Sequence, residues 1–180
     1  RIGTEHMLFG WDHLLFVLAL FLLTARRQLL WVITAFTIGH SITLAIVALG
    51  LFTLPSGPVE LLIALSIFFL AVEVIRKNQG QSSLTIRKPW LVSTAFGLLH
   101  GLGFAGALSD IGLPKGDEIW ALLLFNLGVE VGQILFVIAL LALFWLFGRT
   151  TLDRRRRLEL PATYLVGGLG AFYTLTRILT

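Results

Sequence analysis

Apolar residues in this chain come in long, nearly unbroken runs, and short polar breaks separate the runs. A helix that crosses the hydrocarbon core of a bilayer needs roughly 20 mostly apolar residues. Six stretches meet that requirement: 5–25, 29–52, 59–75, 90–110, 118–147 and 160–179. The connections at 26–28, 53–58, 76–89, 111–117 and 148–159 are polar and too short to form a domain of their own. The pattern predicts an all-α, polytopic bundle of six transmembrane helices, one membrane domain over 1–180. The fifth stretch is long enough to tilt, or to kink near Gly128 and Gly132.

Composition strengthens this reading. The 180 residues are 57% hydrophobic and only 13% charged, whereas soluble domains carry about a quarter charged residues. A net charge of +4 would point to nucleic acid in a soluble protein. Here the basic residues sit in the breaks, where they set topology and bind lipid headgroups, so no nucleic-acid partner is expected. One set of breaks holds Arg26, Arg27, Arg76, Lys77, Arg87, Lys88, Arg149 and the arginines at 154–157. The other holds Arg1, Lys115 and Arg177. That asymmetry places both termini on the extracytoplasmic side, and a bacterial inner (plasma) membrane is the expected location. The chain begins at Arg1, so a signal peptide or a further outer segment is expected before it. Cysteine is absent, which excludes disulfides and thiolate chemistry.

The polar residues within the apolar stretches change the picture from scaffold to site. All four histidines, His6, His13, His40 and His100, fall inside spans, together with Asp12, Glu73, Asn126, Glu130 and Gln133. Ionisable groups in hydrocarbon are costly and need partners. Counting about 1.5 Å of rise per residue from each span's outer end puts His13 and Asn126 roughly 12 Å deep. His100 then lies about 15 Å deep, and His40 and Glu130 about 18 Å. Glu60 marks the outer rim and Glu73 the inner end, so acids bracket the histidines. His6 and His13, seven residues apart, are expected on one face of a single helix. Asn126, Glu130 and Gln133 form a polar stripe at helical spacing.

Imidazoles with carboxylate and amide oxygens suit borderline divalent metals such as nickel, cobalt or zinc. Asp12, next to His13, is placed to orient an imidazole. The plainer reading of any single intramembrane histidine, asparagine or threonine is interhelical hydrogen bonding, and glycines four apart usually mark packing faces. Three central histidines with Asp12 and Glu130 exceed what packing needs. The glycine-rich faces are also compatible with a homo-oligomer or a partner subunit.

The runs EHMLFGWDH, FTIGHSITLA, ELLIALSIF, FGLLHGLGFA and FNLGVEVGQ, in this order, resemble the HupE/UreJ family over the first five spans. The resemblance implies a secondary permease for nickel, in some members cobalt, that serves nickel enzymes. Its first motif maps onto His6, Asp12 and His13, and further motifs carry His40 and Glu130. The proline that follows the first histidine in the hydrogenase-linked branch is absent, so the chain looks closer to the second branch. The expected metal ligands are therefore His6, Asp12, His13, His40, His100 and Glu130, supported by Asn126, Gln133, Glu60 and Glu73. Two other functions fit the same residues: an intramembrane zinc hydrolase, and a haem protein with His40 and His100 as axial ligands.

Overall fold

A computed structural model describes residues 1–52, 54–104, 117–148 and 152–179, apart from the side chains of 118, 147, 148 and 152–157. The described residues form helices joined by short turns, with no strand among them: α1 (Ile2–Phe9), α2 (Trp11–Leu23), α3 (Leu29–Ala48), α4 (Ser56–Asn78), α5 (Leu84–Arg87), α6 (Pro89–Gly103), α7 (Glu118–Gly148) and α8 (Leu152–Leu179). A 3-10 turn, Arg26–Gln28, leads into α3. Gly50, with φ of 70°, turns the chain after α3, and Pro55 precedes α4, where its fixed φ suits a helix entrance. Pro89 opens α6, its missing N–H falling where a helix has no acceptor to offer.

Three segments, Arg26–Ala48, Ser56–Asn78 and Ile119–Leu146, are long and apolar enough to cross a membrane. The α1–α2 pair makes a fourth if it counts as one span. The other two expected spans differ from the sequence reading for separate reasons. α6 is described over 15 residues, about 22 Å of helix against a core of about 30 Å, and 105–110 lie outside the described residues. α8 begins at Leu152, so the arginines at 154–157 ride on its first turns instead of in a loop. Arginine is a good helix former, and the chain continues as helix through Pro161. Lys115, Gly106 and Arg149 also lie outside the described residues.

The largest difference is at the first stretch. It is two helices bent by 73°, not one. Gly10 takes an extended conformation, and its N–H closes α1 on the His6 carbonyl at 3.0 Å. A Cβ there would come within 2.7 Å of that carbonyl oxygen and 2.9 Å of the His13 ring, so only glycine fits the corner.

Helix pairs lock through small residues. On α3 and α6, the Ser93 hydroxyl donates to the Val32 carbonyl, while a Cβ on Gly97 or Gly101 would fall on the Phe36 or His40 carbonyl oxygen. Matching positions advance by four on both helices, so α3 and α6 run parallel in backbone contact. α1 runs parallel to α7 in the same way, with Gly3 against Phe125, Thr4 against Gly128 and Met7 against Gly132. α4 and α8 are antiparallel, Gly170 against Phe68 and Arg177 against Glu60. The glycines at 97, 101, 128 and 132 thus serve packing within the chain. α7 runs as a single helix of 31 residues past Gly128 and Gly132.

Both the core and the outer surface of the bundle are apolar. α7 buries Asn126 and Gln133 and exposes Leu123, Leu124, Leu127, Leu135 and Ile138. A soluble helix would bury Leu122, Phe125 and Val129 as α7 does but would not present such an apolar outer face; an apolar solvent rewards that face.

Candidate metal centre

Four helices, two of them joined by a corner, deliver the histidines to one place. The bend at Gly10 folds α1 back over the start of α2, which brings the His6 and His13 rings to 4.5 Å between centroids. Two turns of straight helix would have left them about 10.5 Å apart along the axis. Their proximity therefore comes from the corner and not from a shared helix face. α3 contributes His40, 6.4 Å from His6 and 6.2 Å from His13, and α6 contributes His100, 5.4 Å from His13. One ring nitrogen each from His6, His13 and His40 lies within 4.8 Å of the other two. A tetrahedral ion with bonds of about 2.0–2.1 Å would hold them about 3.3 Å apart, so modest side-chain rotations close the tripod.

Neighbours fix how two of these rings are protonated. The Asn126 amide donates to the Leu122 carbonyl at 2.9 Å, which turns its oxygen toward His40 Nδ1 at 3.2 Å. Nδ1 therefore carries the proton, and Nε2 keeps its lone pair. The Ser66 hydroxyl donates to the Ile63 carbonyl at 2.7 Å and so accepts from His100 Nε2 at 3.2 Å. That leaves the lone pair on His100 Nδ1. In both cases the nitrogen with the lone pair is buried with no hydrogen-bond partner, as are His6 Nε2 and His13 Nε2. A buried polar atom without a partner costs about 1–3 kcal/mol, and four together in one spot are hard to retain for packing alone. Neutral imidazole with one ring nitrogen anchored and the other free is the form that ligates metals.

The walls are aromatic. Phe104 lies 4.0 Å from the His6 ring, Phe16 4.8 Å from His100, and Phe36 5.2 Å from His100. Ser66, which touches His100, is ten residues from Ser56 and twelve from Asn78 on α4. At about 15 Å and 18 Å from the helix ends, the centre lies at mid-height in the bundle.

The remaining expected residues fall around this centre. The stripe on α7 meets α3: His40 with Asn126, Thr34 Oγ1 with Glu130 Oε1 at 2.7 Å, and Thr37 Oγ1 with Gln133 Oε1 at 3.0 Å. Glu130 is thus tied to Thr34 in this structure and stands outside the three-imidazole group. Gln133 is fully buried, and its Nε2 lacks a partner. Asp12 lines a separate pocket of about 250 Å³ with Trp11, Tyr173 and Glu60, whose carboxylate pairs with Arg177 at 2.8 Å. Glu73, 1% exposed, accepts from Arg76 at 2.9 Å and from Ser83.

Sequence reasoning passed over Ser66 and Thr34, and took Arg177 only as a topology residue. A lone serine in the apolar run ELLIALSIF is the one signal that pointed to Ser66. The corner, read from sequence as one continuous span, did have a signal in Gly-Trp-Asp, a glycine followed by an acid in the first turn of α2, which marks a helix N-terminus.

The family model described as HupE/UreJ protein matches residues 1–177. No curated protein and no solved structure matches the chain. With nearly its whole length matched and a histidine cluster buried among membrane-type helices, the chain belongs to the HupE/UreJ family, a nickel/cobalt transporter-like family of integral membrane proteins.

Proposed function

We propose that this protein is a secondary permease for a divalent transition metal ion, nickel first and cobalt or zinc next, in a bacterial inner membrane. The observation that carries the reading is the buried histidine cluster: one ring nitrogen each from His6, His13 and His40 lies within 4.8 Å of the other two, His100 packs against His13, and each of the four rings keeps a buried nitrogen without a hydrogen-bond partner. A transported ion needs ligands strong enough to strip its water yet replaceable one at a time. Neutral imidazoles from separate helices meet that need. Carrying the fourth ring beside the tripod lets an ion exchange one ligand before it loses another. Asp12 and Glu60 line the approach at the Arg177 end, and Glu130 and Gln133 line the polar seam between α3 and α7.

The helix directions support a six-span path with both termini on one side. α2 and α4 run parallel, with Asp12 and Glu60 at one end and Lys77 reaching the Leu22 and Leu23 carbonyls at the other, at 2.8 and 2.7 Å. α3 and α6 run parallel to each other, and α3 runs opposite to α7, as alternating crossings require.

Uptake of radioactive nickel by nickel-starved cells expressing the protein tests the proposal. Uptake above the control is expected, and the His13→Ala variant is expected to lose it. Unchanged uptake of nickel, cobalt and zinc in that variant overturns the permease. The same three imidazoles are also the donor set of a hydrolytic zinc site. A zinc ion that stays bound through purification, in vesicles that take up no metal, would decide for that second reading.

A further inference from the structure

On the outer flank of the α3–α6 pair, away from the histidines, the structure forms a groove of about 540 Å³. Trp31, Ala35 and Ile38 of α3 form one wall, and Pro89 and Trp90 of α6 the other. Gln28 and Arg87 stand at its mouth. From Gln28 to Ile38 the groove follows ten residues of helix, about 15 Å, which is half of a hydrocarbon core of about 30 Å. Its length is that of one leaflet. The lining is almost wholly apolar, and both indoles are exposed, Trp31 at 75% and Trp90 at 52%. Tryptophans at one height beside basic residues mark the level of the headgroups.

The mouth is cationic. Arg87 is held by a hydrogen bond from its Nε to Ser82 Oγ at 2.8 Å, which fixes the guanidinium plane at the groove's end. Lys88 follows Arg87 in sequence, Arg26 and Arg27 precede Gln28, and all three are exposed. A planar guanidinium suits a phosphate diester, and clustered basic residues at this level attract anionic headgroups. We infer that the groove is a binding site for one anionic phospholipid, its phosphate on Arg87 and one acyl chain between Trp31 and Trp90.

The site has a consequence for the metal centre, because its two walls are the helices that carry His40 and His100. A lipid seated there braces their parallel packing from the lipid side, as Ser93 and Gly97 do from within. The inference stands without the permease reading, since it concerns only a protein in a bilayer.

The test uses the full chain in detergent, with Trp11, Trp120 and Trp145 changed to phenylalanine so that Trp31 and Trp90 alone report. Phosphatidylglycerol and phosphatidylcholine with identical brominated chains are titrated in, and quenching is followed. Phosphatidylglycerol is expected to quench with one saturable phase at a severalfold lower concentration. Arg87→Gln is expected to bring the two curves together, and Arg87→Lys to restore part of the gap. Ala35→Phe, which fills the groove without touching a charge, is expected to remove the saturable phase and so checks the site where Arg87→Gln fails to fold. Coincident curves for the two lipids in the parent protein mean general lipid contact only, and overturn the inference. So does a preference that survives both Arg87→Gln and Ala35→Phe.

Discussion

Two polar clusters are buried in this bundle, and they differ in what their atoms do. Toward the basic end, the Glu73 carboxylate accepts from Arg76 and Ser83, Ser83 Oγ also accepts from the Ile86 amide at 3.2 Å, and Lys77 donates to the last carbonyls of α2. That cluster ties α2, α4 and α5 together with its hydrogen bonds made. At mid-height, four imidazoles each keep a buried nitrogen without a partner. Glu73 is as buried as the imidazoles, although its partner Arg76 reaches water; what separates the two places is satisfaction. A saturated cluster is explained by the packing it holds. A cluster that leaves four neighbouring rings each with a buried, unpartnered nitrogen calls for something that satisfies them.

The sharpest way to break this contrast is to remove a ring. His40→Ala is expected to lower nickel affinity in detergent at least about a hundredfold, more than a neighbour's loss would cost. Isothermal titration reads it directly, and wild-type affinity in this variant would reduce the histidines to packing. Next come the groups that set the tautomers. Asn126→Leu and Ser66→Ala are each expected to weaken binding by about 10–100-fold, with the helical spectrum intact. If Ser66→Ala binds as tightly as the parent, the hydroxyl does not orient His100. Gly101→Ala should act more gently on the site and more on the fold. Its Cβ meets the His40 carbonyl and the Thr43 hydroxyl, so α3 and α6 must part, at a cost of about 1–3 kcal/mol. Thermal unfolding in micelles measures that loss.

How much of this was legible beforehand depended on what each feature rests on. The apolar runs named α3, α4 and α7 closely, because a membrane helix is specified by its own composition. The stripe Asn126, Glu130, Gln133 was legible for a similar reason. Helical periodicity is local, and all three side chains do meet α3. The meeting of His6 with His13 was expected on the wrong grounds, since a straight helix would have separated the rings and the corner at Gly10 joined them. Which partner each polar group takes was not legible at all. Glu130 went to Thr34 and Glu60 to Arg177, and such pairings follow from helix crossings that spacing along one helix does not encode.

The smallest expected effect on the metal centre comes from the saturated cluster. Glu73→Gln keeps the side chain's shape but removes the charge that Arg76 and Ser83 donate to. Because Glu73 is 1% exposed while Arg76 is about half exposed, the arginine can turn to water, whereas the amide stays buried, its oxygen accepting from Arg76 and its nitrogen donating to the Ser83 hydroxyl, which can accept. A stability loss of about 1–3 kcal/mol follows from the lost charge on these hydrogen bonds. Nickel affinity should stay at the parent value, because no atom of this cluster touches an imidazole among the described contacts. A variant that unfolds earlier yet binds nickel normally keeps the two clusters separate in kind. One that loses nickel binding while remaining folded would mean that the basic end and the histidines form a single polar system, and that the satisfied carboxylate takes part in handling the ion.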